Sequence, residues 1–282
     1  MDKLFKEFDL TEILKNLEFR NGIWYSKTRS QISYPDRGNE LYFEIEENSF
    51  WFKHRNACIL ECVRNFSPKC VFFDIGGGNG YVCWALEQHG IKTVLLEPGE
   101  EGILNAQKRG LKNLVCSKIE DTNFQKKSIS ALGIFDVLEH IQDDKSFLLT
   151  LREYMTEEGR IYLTGPAYQF LWSAEDDYAG HIRRYSLRRL YQLLKSSGFI
   201  IEYSTYIFSM LPVPIFLFRT LPSRLRFRRD QSFKKYLSEH QHGGVMSGIL
   251  DKIFNVERSM IHRKKRILFG GSCLVVGKIH PE

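Results

Sequence analysis

The chain has 282 residues, of which 43% are hydrophobic and 26% are charged, and its formal net charge is +6. This composition is that of a globular protein and excludes a disordered, collagen-like or membrane-embedded chain. The six cysteines are scattered through apolar surroundings and no apolar targeting segment follows Met1, so we expect a cytoplasmic protein with reduced thiols.

The positive charge is concentrated in the C-terminal quarter of the chain. Residues 219–282 contain 14 Lys and Arg against 5 Asp and Glu, whereas residues 1–218 contain 26 against 29. The larger part of the chain is therefore slightly acidic and has no electrostatic reason to bind nucleic acid.

Two helices are predicted before the first strand. Apolar residues recur at helical spacing over residues 4–17, which predicts an amphipathic helix. A polar segment containing Gly and Pro follows over residues 27–40, and a second helix is predicted near residues 50–66.

From residue 69 onward, short apolar runs alternate with segments of helical length. Strands are predicted at residues 71–75, 93–96, 113–116, 131–138, 160–164 and 199–207, and helices at 82–88, 99–108, 145–154 and 187–197. Ser186 and Gly198 are suitable caps for the last helix. The alternation predicts an α/β fold, in which helices cover both faces of a mostly parallel sheet. It stops at an insertion after residue 206, and the apolar run 273–276 predicts a final strand.

A glycine-rich turn follows the strand at 71–75. Residues 71–81 read Val-Phe-Phe-Asp-Ile-Gly-Gly-Gly-Asn-Gly-Tyr, so the strand ends in Asp74 and glycines stand at 76, 78 and 80. A dinucleotide fingerprint, G-x-G-x-x-G, fails because its third glycine position holds Tyr81 or Cys83. The order acid-x-G-x-G-x-G resembles instead the first motif of class I S-adenosylmethionine-dependent methyltransferases.

Later positions support this resemblance in the correct order. Glu97 ends the next strand, where the family uses an acid to bind the ribose hydroxyls of the cofactor. Asp121, with Glu120 as the alternative, stands where an acid receives the adenine amino group. The run 135–141, Phe-Asp-Val-Leu-Glu-His-Ile, is similar to the ubiquinone and menaquinone biosynthesis methyltransferases.

The resemblance implies a Rossmann-like sheet of seven strands and S-adenosylmethionine as the cofactor. It divides the chain into an N-terminal helical lid (1–68), the cofactor-binding core (69–206), an apolar and basic cap insertion (207–269) and the final strand (270–282). The predicted cofactor-binding residues are Asp74, Gly76, Gly77, Gly78, Asn79, Glu97, Asp121, Phe135, Trp51 and Arg55. Asp74 either contacts the methionine amino group or anchors the turn through backbone amides.

Two histidines are candidate catalytic residues. A general base is needed if the acceptor is a hydroxyl or a protonated amine, because its proton must leave. His140 directly follows the fourth strand and is the first candidate, although it could equally be a polar residue that starts the next helix. His181 is the second candidate.

The loop after the fifth predicted strand supplies candidate acceptor-binding residues. Tyr168 and Trp172 offer aromatic surface for a ring or an apolar chain. Arg183 and Arg184 either hold an anionic acceptor or pair with acids of the same loop, Asp176 and Asp177.

No metal site is expected from ligand spacing. Cys58 and Cys62 are four residues apart on a predicted helix without a second pair, and His240-x-His242 stands in a polar stretch. We interpret both as structural or solvated.

The insertion combines an apolar run with a basic one. Residues 207–222 are apolar but are broken by Pro212, Pro214 and Arg219, so they are too interrupted to span a membrane. The basic residues that follow are Arg224, Arg226, Arg228, Arg229, Lys234 and Lys235. The segment 207–235 could cap the acceptor pocket, lie on a bilayer surface, form a dimer contact or bind nucleic acid.

The sequence therefore predicts methyl transfer to an oxygen or carbon of a small or lipid-linked acceptor. No Asn/Asp-Pro-Pro-Tyr/Phe motif follows the fourth strand, which disfavours methylation of base amines or glutamine amides, and a nucleic-acid substrate is unlikely. The alternative from another class is a non-catalytic, membrane-peripheral cofactor-binding or scaffold protein. The sequence alone makes no prediction of the oligomeric state.

Overall fold

The computed structural model describes residues 10, 17–27, 38–66, 71–122, 124–225 and 245–280. Nine strands form one sheet in the order β1-β2-β5-β4-β3-β6-β7-β9-β8. Their bounds are β1 (Leu17–Arg20), β2 (Ile23–Ser26), β3 (Phe72–Ile75), β4 (Thr93–Leu96), β5 (Leu114–Cys116), β6 (Ile129–Phe135), β7 (Met155–Pro166), β8 (Phe199–Ile207) and β9 (Ser272–Ile279).

The core of the sheet has the predicted architecture. Strands β2, β5, β4, β3, β6 and β7 are parallel to one another, and β9 runs antiparallel between β7 and β8. The α/β fold with a mostly parallel sheet is confirmed, and all seven predicted strands are present.

The strand count and the N-terminal segment need correction. Strands β1 and β2 form an antiparallel hairpin that adds to the edge of the sheet at β5, so nine strands replace the predicted seven. The predicted lid over 1–68 is therefore not all helical. The predicted helix 4–17 falls almost wholly outside the described residues, and its last residue, Leu17, belongs to β1.

Helices lie on both faces of the sheet. They are α1 (Gly38–Ile45), α2 (Phe50–Asn65), α3 (Tyr81–Glu87), α4 (Glu100–Lys108), α5 (Asp144–Tyr154), α6 (Ala174–Ala179), α7 (Leu187–Ser196), α8 (Pro212–Ile215), α9 (Leu221–Arg224) and α10 (Val245–His262). A π-helical turn, Phe216–Thr220, joins α8 to α9. The predicted caps of α7 are confirmed, since the Ser186 side chain accepts from the Arg189 amide and Gly198 has a φ of +84°.

The insertion begins and ends at the edge of the sheet where the parallel strands end. Ile207, the last residue of β8, pairs with Ser272, the first residue of β9, and Ser272 also pairs with Pro166 at the end of β7. The described part of the insertion is helical, as predicted. It therefore stands at the edge that carries the glycine turn.

A buried network fastens α10 to α2. Glu257 on α10 accepts hydrogen bonds from His54 Nε2 at 2.8 Å and from the backbone amides of Phe208 and Ser209 at 2.9 and 2.7 Å. Burial opposes ionisation of Glu257, but the hydrogen bonds from His54 and Ser209 hold its pKa below the usual range. The carboxylate is therefore charged in the folded protein at neutral pH.

We expect Glu257→Gln to lower the free energy of unfolding by about 2 kcal/mol, because an amide NH₂ would face buried N–H donors. Since the pKa of Glu257 is lower in the folded protein than in the unfolded chain, the loss should be full at neutral pH and should shrink as the pH falls through the folded value. Urea unfolding of the wild type and the variant, followed by circular dichroism at several pH values, measures this difference in the free energy of unfolding.

The matched control is Asp251→Asn, which removes an exposed carboxylate from the same helix. It should change the unfolding free energy by less than about 0.5 kcal/mol. Equal effects of the two substitutions would show that the network does not stabilise the fold.

Candidate functional site

The glycine turn after β3 needs glycine for both conformation and space. Gly76, Gly78 and Gly80 have φ values of +73°, +53° and +71°, a region that residues with a side chain rarely adopt. Gly77 has no room for a side chain, because a Cβ there would lie 2.4 Å from Asp74 Oδ2. The turn therefore presents its backbone to a ligand.

Glu97 lies at the end of β4 and closes this turn. Its carboxylate accepts from the Gly78 amide at 2.9 Å and from the Gly99 amide at 2.7 Å. Burial raises the pKa of Glu97, while these two amides partly offset the shift. Each carboxylate oxygen has two lone pairs, so it can accept a hydroxyl hydrogen bond besides the amide.

Asn79 binds the protein rather than a ligand. Its side-chain NH₂ donates to the Asn39 carbonyl at 2.9 Å, and its oxygen accepts from Asn105 Nδ2 at 3.1 Å. These bonds fasten the glycine turn to α1 and α4. The Asn79 side chain therefore positions the turn, and the predicted contact of this residue with the cofactor stays a prediction.

Arg55 extends from α2 to the ends of the strands. Its guanidinium forms an ion pair with Asp136, just past β6, and lies over the Trp51 ring at 5.0 Å. Among the described residues, Arg55 Nε and the buried Asp74 Oδ1 have no hydrogen-bond partner. Burial raises the pKa of Asp74 to about 7. A hydrogen-bond donor, Arg55 Nε, and an acceptor, Asp74 Oδ1, thus lie without partners from the described residues at the same edge of the sheet.

The two other predicted cofactor residues differ in their setting. Asp121 is half-buried in a turn, Ile119–Asp121, just past β5, whereas Glu120 is exposed. Phe135 is buried in the core and stacks against Phe72 at 6.2 Å. The predicted contact of Phe135 with the cofactor stays a prediction, and the buried ring leaves the backbone at the strand end to make it.

The candidate catalytic histidines contact each other. The ring centroids of His140 and His181 are 4.9 Å apart. His140 Nδ1 lies 3.3 Å from the Gly180 carbonyl, and His181 Nδ1 lies 2.9 Å from Asp176 Oδ1. Burial and the neighbouring His181 lower the pKa of His140 to about 4, so its ring is neutral at pH 7.

The arginines predicted to hold an anionic acceptor are paired within the chain. Arg184 binds both carboxylate oxygens of Asp176, at 2.8 and 2.9 Å, as the sequence alternative proposed. Arg183 pairs with Asp144 at 2.6 Å rather than with Asp177. Because their charges are compensated by buried or half-buried acids, we no longer assign them to the acceptor.

The aromatic candidates of the same loop have different partners. Trp172 Nε1 donates to Asp177 Oδ1 at 3.0 Å, which fixes its ring on α6. The Tyr168 ring stacks on the Tyr206 ring at 5.0 Å and contacts the tilted Phe269 ring at 5.2 Å. Tyr168 therefore joins the loop after β7 to the insertion.

With this geometry established, the comparison with known families is decisive. The family model described as a methyltransferase domain matches residues 51–204, which is more than half of the chain. The chain belongs to this family. It is a class I S-adenosylmethionine-dependent methyltransferase, and its cofactor is S-adenosylmethionine.

Solved methyltransferases share the fold at low sequence identity. A chain of the complex between the Haloferax volcanii Trm112 methyltransferase activator and a methyltransferase has a TM-score of 0.56 at 16% identity, covering 88% of this chain and 96% of that chain. Phosphoethanolamine N-methyltransferase 2 of Haemonchus contortus, in complex with S-adenosyl-L-methionine, has a TM-score of 0.55 at 18% identity, covering 89% and 59%. A methyltransferase of Thermotoga maritima has a TM-score of 0.51 at 18% identity, covering 85% and 99%. No curated protein sequence matches the chain.

The orphaned polar atoms fit the methionine end of this cofactor. Arg55 Nε is a cationic donor that suits a carboxylate, and Asp74 Oδ1 is an acceptor that suits an ammonium group. Glu97 suits the ribose hydroxyls, and Asp121 suits the adenine amino group. These roles are our proposals for the methyltransferase.

Three acidic residues of the candidate site were not predicted from the sequence as functional residues. Asp136, Glu139 and Asp176 are half-buried or buried acids that contact predicted site residues. Asp136 and Glu139 lie inside the run 135–141. This run supports the resemblance to the family, but the sequence assigns no function to either acid. Asp176 was considered only as a partner of the arginines.

We expect Glu97→Ala to weaken the binding of S-adenosylhomocysteine at least about 30-fold, because charge-assisted hydrogen bonds contribute about 1.5–3 kcal/mol each. Isothermal titration calorimetry measures the affinity. The control is Glu100→Ala, an exposed acid in the first turn of α4, which should bind normally. An unchanged affinity of Glu97→Ala would remove Glu97 from the cofactor site.

Proposed function

We propose that this methyltransferase methylates an oxygen or carbon of a small or lipid-linked acceptor. The observation that carries the proposal is an apolar groove of about 380 Å³ between the loop after β7 and the insertion. Its lining residues are all apolar, namely Phe170, Pro212, Val213, Phe216, Leu217 and Phe269. Such a groove suits an acyl or prenyl chain better than a polar polymer.

The main task of the protein in this reaction is to align the acceptor atom with the bond between the methyl carbon and sulfur. The bond between the methyl carbon and the sulfonium sulfur breaks, its electron pair stays on sulfur, and a lone pair or carbanion of the acceptor forms the new bond to the methyl carbon. Holding the two reactants in line is worth an effective molarity on the order of 10⁵–10⁸ M. We assign the cofactor side of this alignment to the glycine turn, Glu97 and Arg55.

The acceptor proton must leave when the acceptor is a hydroxyl. His140 remains our first candidate for receiving it and His181 the second, because both lie at the edge where the parallel strands end. The low pKa of His140, about 4, makes its ring a weak proton acceptor at pH 7. A second group that acidifies the hydroxyl would overcome this weakness.

The insertion also offers a surface that fits a bilayer. Exposed apolar side chains recur along it at Met210, Val213, Leu217, Phe218, Leu221 and Leu225. Arg219 and Arg224 lie among them, whereas the basic residues from Arg226 to Lys235 fall outside the described residues. No helix of the described chain is long and apolar enough to cross a membrane. We propose that this apolar and basic surface lies on an anionic bilayer and draws a lipid-linked acceptor from it.

The first experiment tests the acceptor class. The purified enzyme is incubated with S-adenosylmethionine that carries a radiolabelled methyl group and with either a total lipid extract or a water-soluble metabolite extract. We expect label in the organic phase, and much less of it with the Glu97→Ala variant at the same concentration of S-adenosylmethionine. Label that enters only the water-soluble products would overturn the lipid-linked acceptor.

The second experiment tests the bilayer contact. Vesicle flotation should recover the wild type with phosphatidylglycerol vesicles but not with phosphatidylcholine vesicles. The double variant Val213→Asp/Phe218→Asp should reduce the bound fraction at least about tenfold, because each buried apolar side chain contributes about 1.5–3 kcal/mol.

The matched control is Val256→Asp, which places the same charge at an exposed apolar position on α10. It should float like the wild type. Vesicle binding that is negligible for the wild type and both variants, or equal for all three, would contradict the bilayer proposal.

A further inference from the structure

Three side chains with metal-ligating atoms meet at the edge of the sheet where the parallel strands end. Glu139 and His140 follow β6, and His181 follows α6. Each offers one ligand atom, and these atoms all lie within 4.8 Å of one another. A backbone hydrogen bond from the Ile182 amide to the Glu139 carbonyl, 2.9 Å long, holds the two segments together.

Glu139 lacks a compensating partner within the described chain. Its side chain is fully buried, and neither carboxylate oxygen accepts a hydrogen bond from any described residue. The nearby guanidinium groups of Arg55 and Arg184 form ion pairs with Asp136 and Asp176 instead. A buried carboxyl group that is left without a partner is costly, and a bound cation would remove that cost.

The two histidines are oriented like metal ligands. His181 Nδ1 is 2.9 Å from Asp176 Oδ1, so Nδ1 donates its proton and Nε2 keeps the lone pair. His140 Nδ1 donates to the Gly180 carbonyl at 3.3 Å, which selects the same tautomer. A carboxylate or carbonyl that fixes the far nitrogen of an imidazole is the common support of a metal-bound histidine.

We propose that Glu139, His140 and His181 bind a divalent transition-metal ion. Two imidazole nitrogens and one carboxylate suit Zn²⁺, Co²⁺, Mn²⁺ or Fe²⁺ rather than Ca²⁺. Bonds of about 2.1 Å require donor atoms that are roughly 3–4 Å apart, so the three side chains close slightly around the ion. Three protein ligands leave further coordination positions for an oxygen atom of the acceptor.

The ion would deepen the proposed function, and this step depends on that function. A divalent ion lowers the pKa of a bound hydroxyl group, so the acceptor oxygen can lose its proton at neutral pH. The proton passes to water or to a nearby base, and the oxygen keeps the lone pair that forms the bond to the methyl carbon. The acceptor would then be a hydroxyl compound rather than a carbon nucleophile.

The test uses Co²⁺ as a spectroscopic probe of the full chain. After dialysis against a chelator, the protein is titrated with Co²⁺, and visible d–d absorption reports coordination by histidine. We expect saturation at one ion per chain. Glu139→Gln and His181→Ala should each weaken Co²⁺ binding at least about 100-fold, since even the loss of outer partners costs about 10–100-fold.

Controls separate this site from other histidines and from misfolding. His89→Ala removes an exposed histidine, and a double alanine variant removes His240 and His242; both should bind Co²⁺ like the wild type. Each variant is also titrated with S-adenosylhomocysteine, which should bind normally if the variant is folded.

The two proposals fail in different ways. If the wild type binds S-adenosylhomocysteine but no Co²⁺, the metal site is overturned and the methyltransferase function stands. Co²⁺ binding that survives in both Glu139→Gln and His181→Ala also overturns the metal site. Metal binding without any binding of S-adenosylhomocysteine would instead contradict the proposed function.

Discussion

The site depends on how buried acids are compensated where the parallel strands end. Asp74, Glu97 and Glu139 are buried there, and Asp136 is half-buried beside them. Burying a carboxyl group costs several kcal/mol unless it is paired or protonated. Backbone amides compensate Glu97 and Arg55 compensates Asp136, but Asp74 keeps one orphaned oxygen and Glu139 keeps two. We therefore propose that ligands supply the missing partners, with the cofactor ammonium group at Asp74 and a metal ion at Glu139.

Arg55, the cation that compensates Asp136, lies on a helix that is held by the insertion. Arg55 extends from α2 to Asp136, and α2 is held by contacts with the insertion. Trp51 stacks on Phe208 at 5.4 Å, and His54 bonds Glu257 on α10. The insertion that carries the apolar surface is therefore packed directly against the helix that carries Arg55, which we propose as a cofactor-binding residue.

The sequence predicted the features that are determined locally. Strands β3 to β9 and the glycine turn follow from short apolar runs, positive-φ glycines and caps, all of which depend on neighbouring residues. The hairpin β1–β2 was missed although Leu17 and Phe19 alternate with polar residues and Asn21-Gly22 is a typical hairpin turn, because the apolar pattern before it was interpreted as one helix that ends at Leu17. Pairings such as Arg55 with Asp136 and Arg183 with Asp144 join residues far apart in the chain, so spacing could not select them over nearer acids.

Separation along the chain also explains why ligand spacing did not predict the proposed metal site. The proposed site gives the two histidines a different role from the one that the sequence predicts. Glu139 and His140 are adjacent, but His181 comes from a later loop, so no short motif contains the three. The Gly180 carbonyl and Asp176 fix the Nδ1 protons of His140 and His181, which leaves the Nε2 lone pair of each ring free to bind an ion. We therefore interpret the histidines as ligands, and deprotonation of the acceptor would be a property of the ion that they hold.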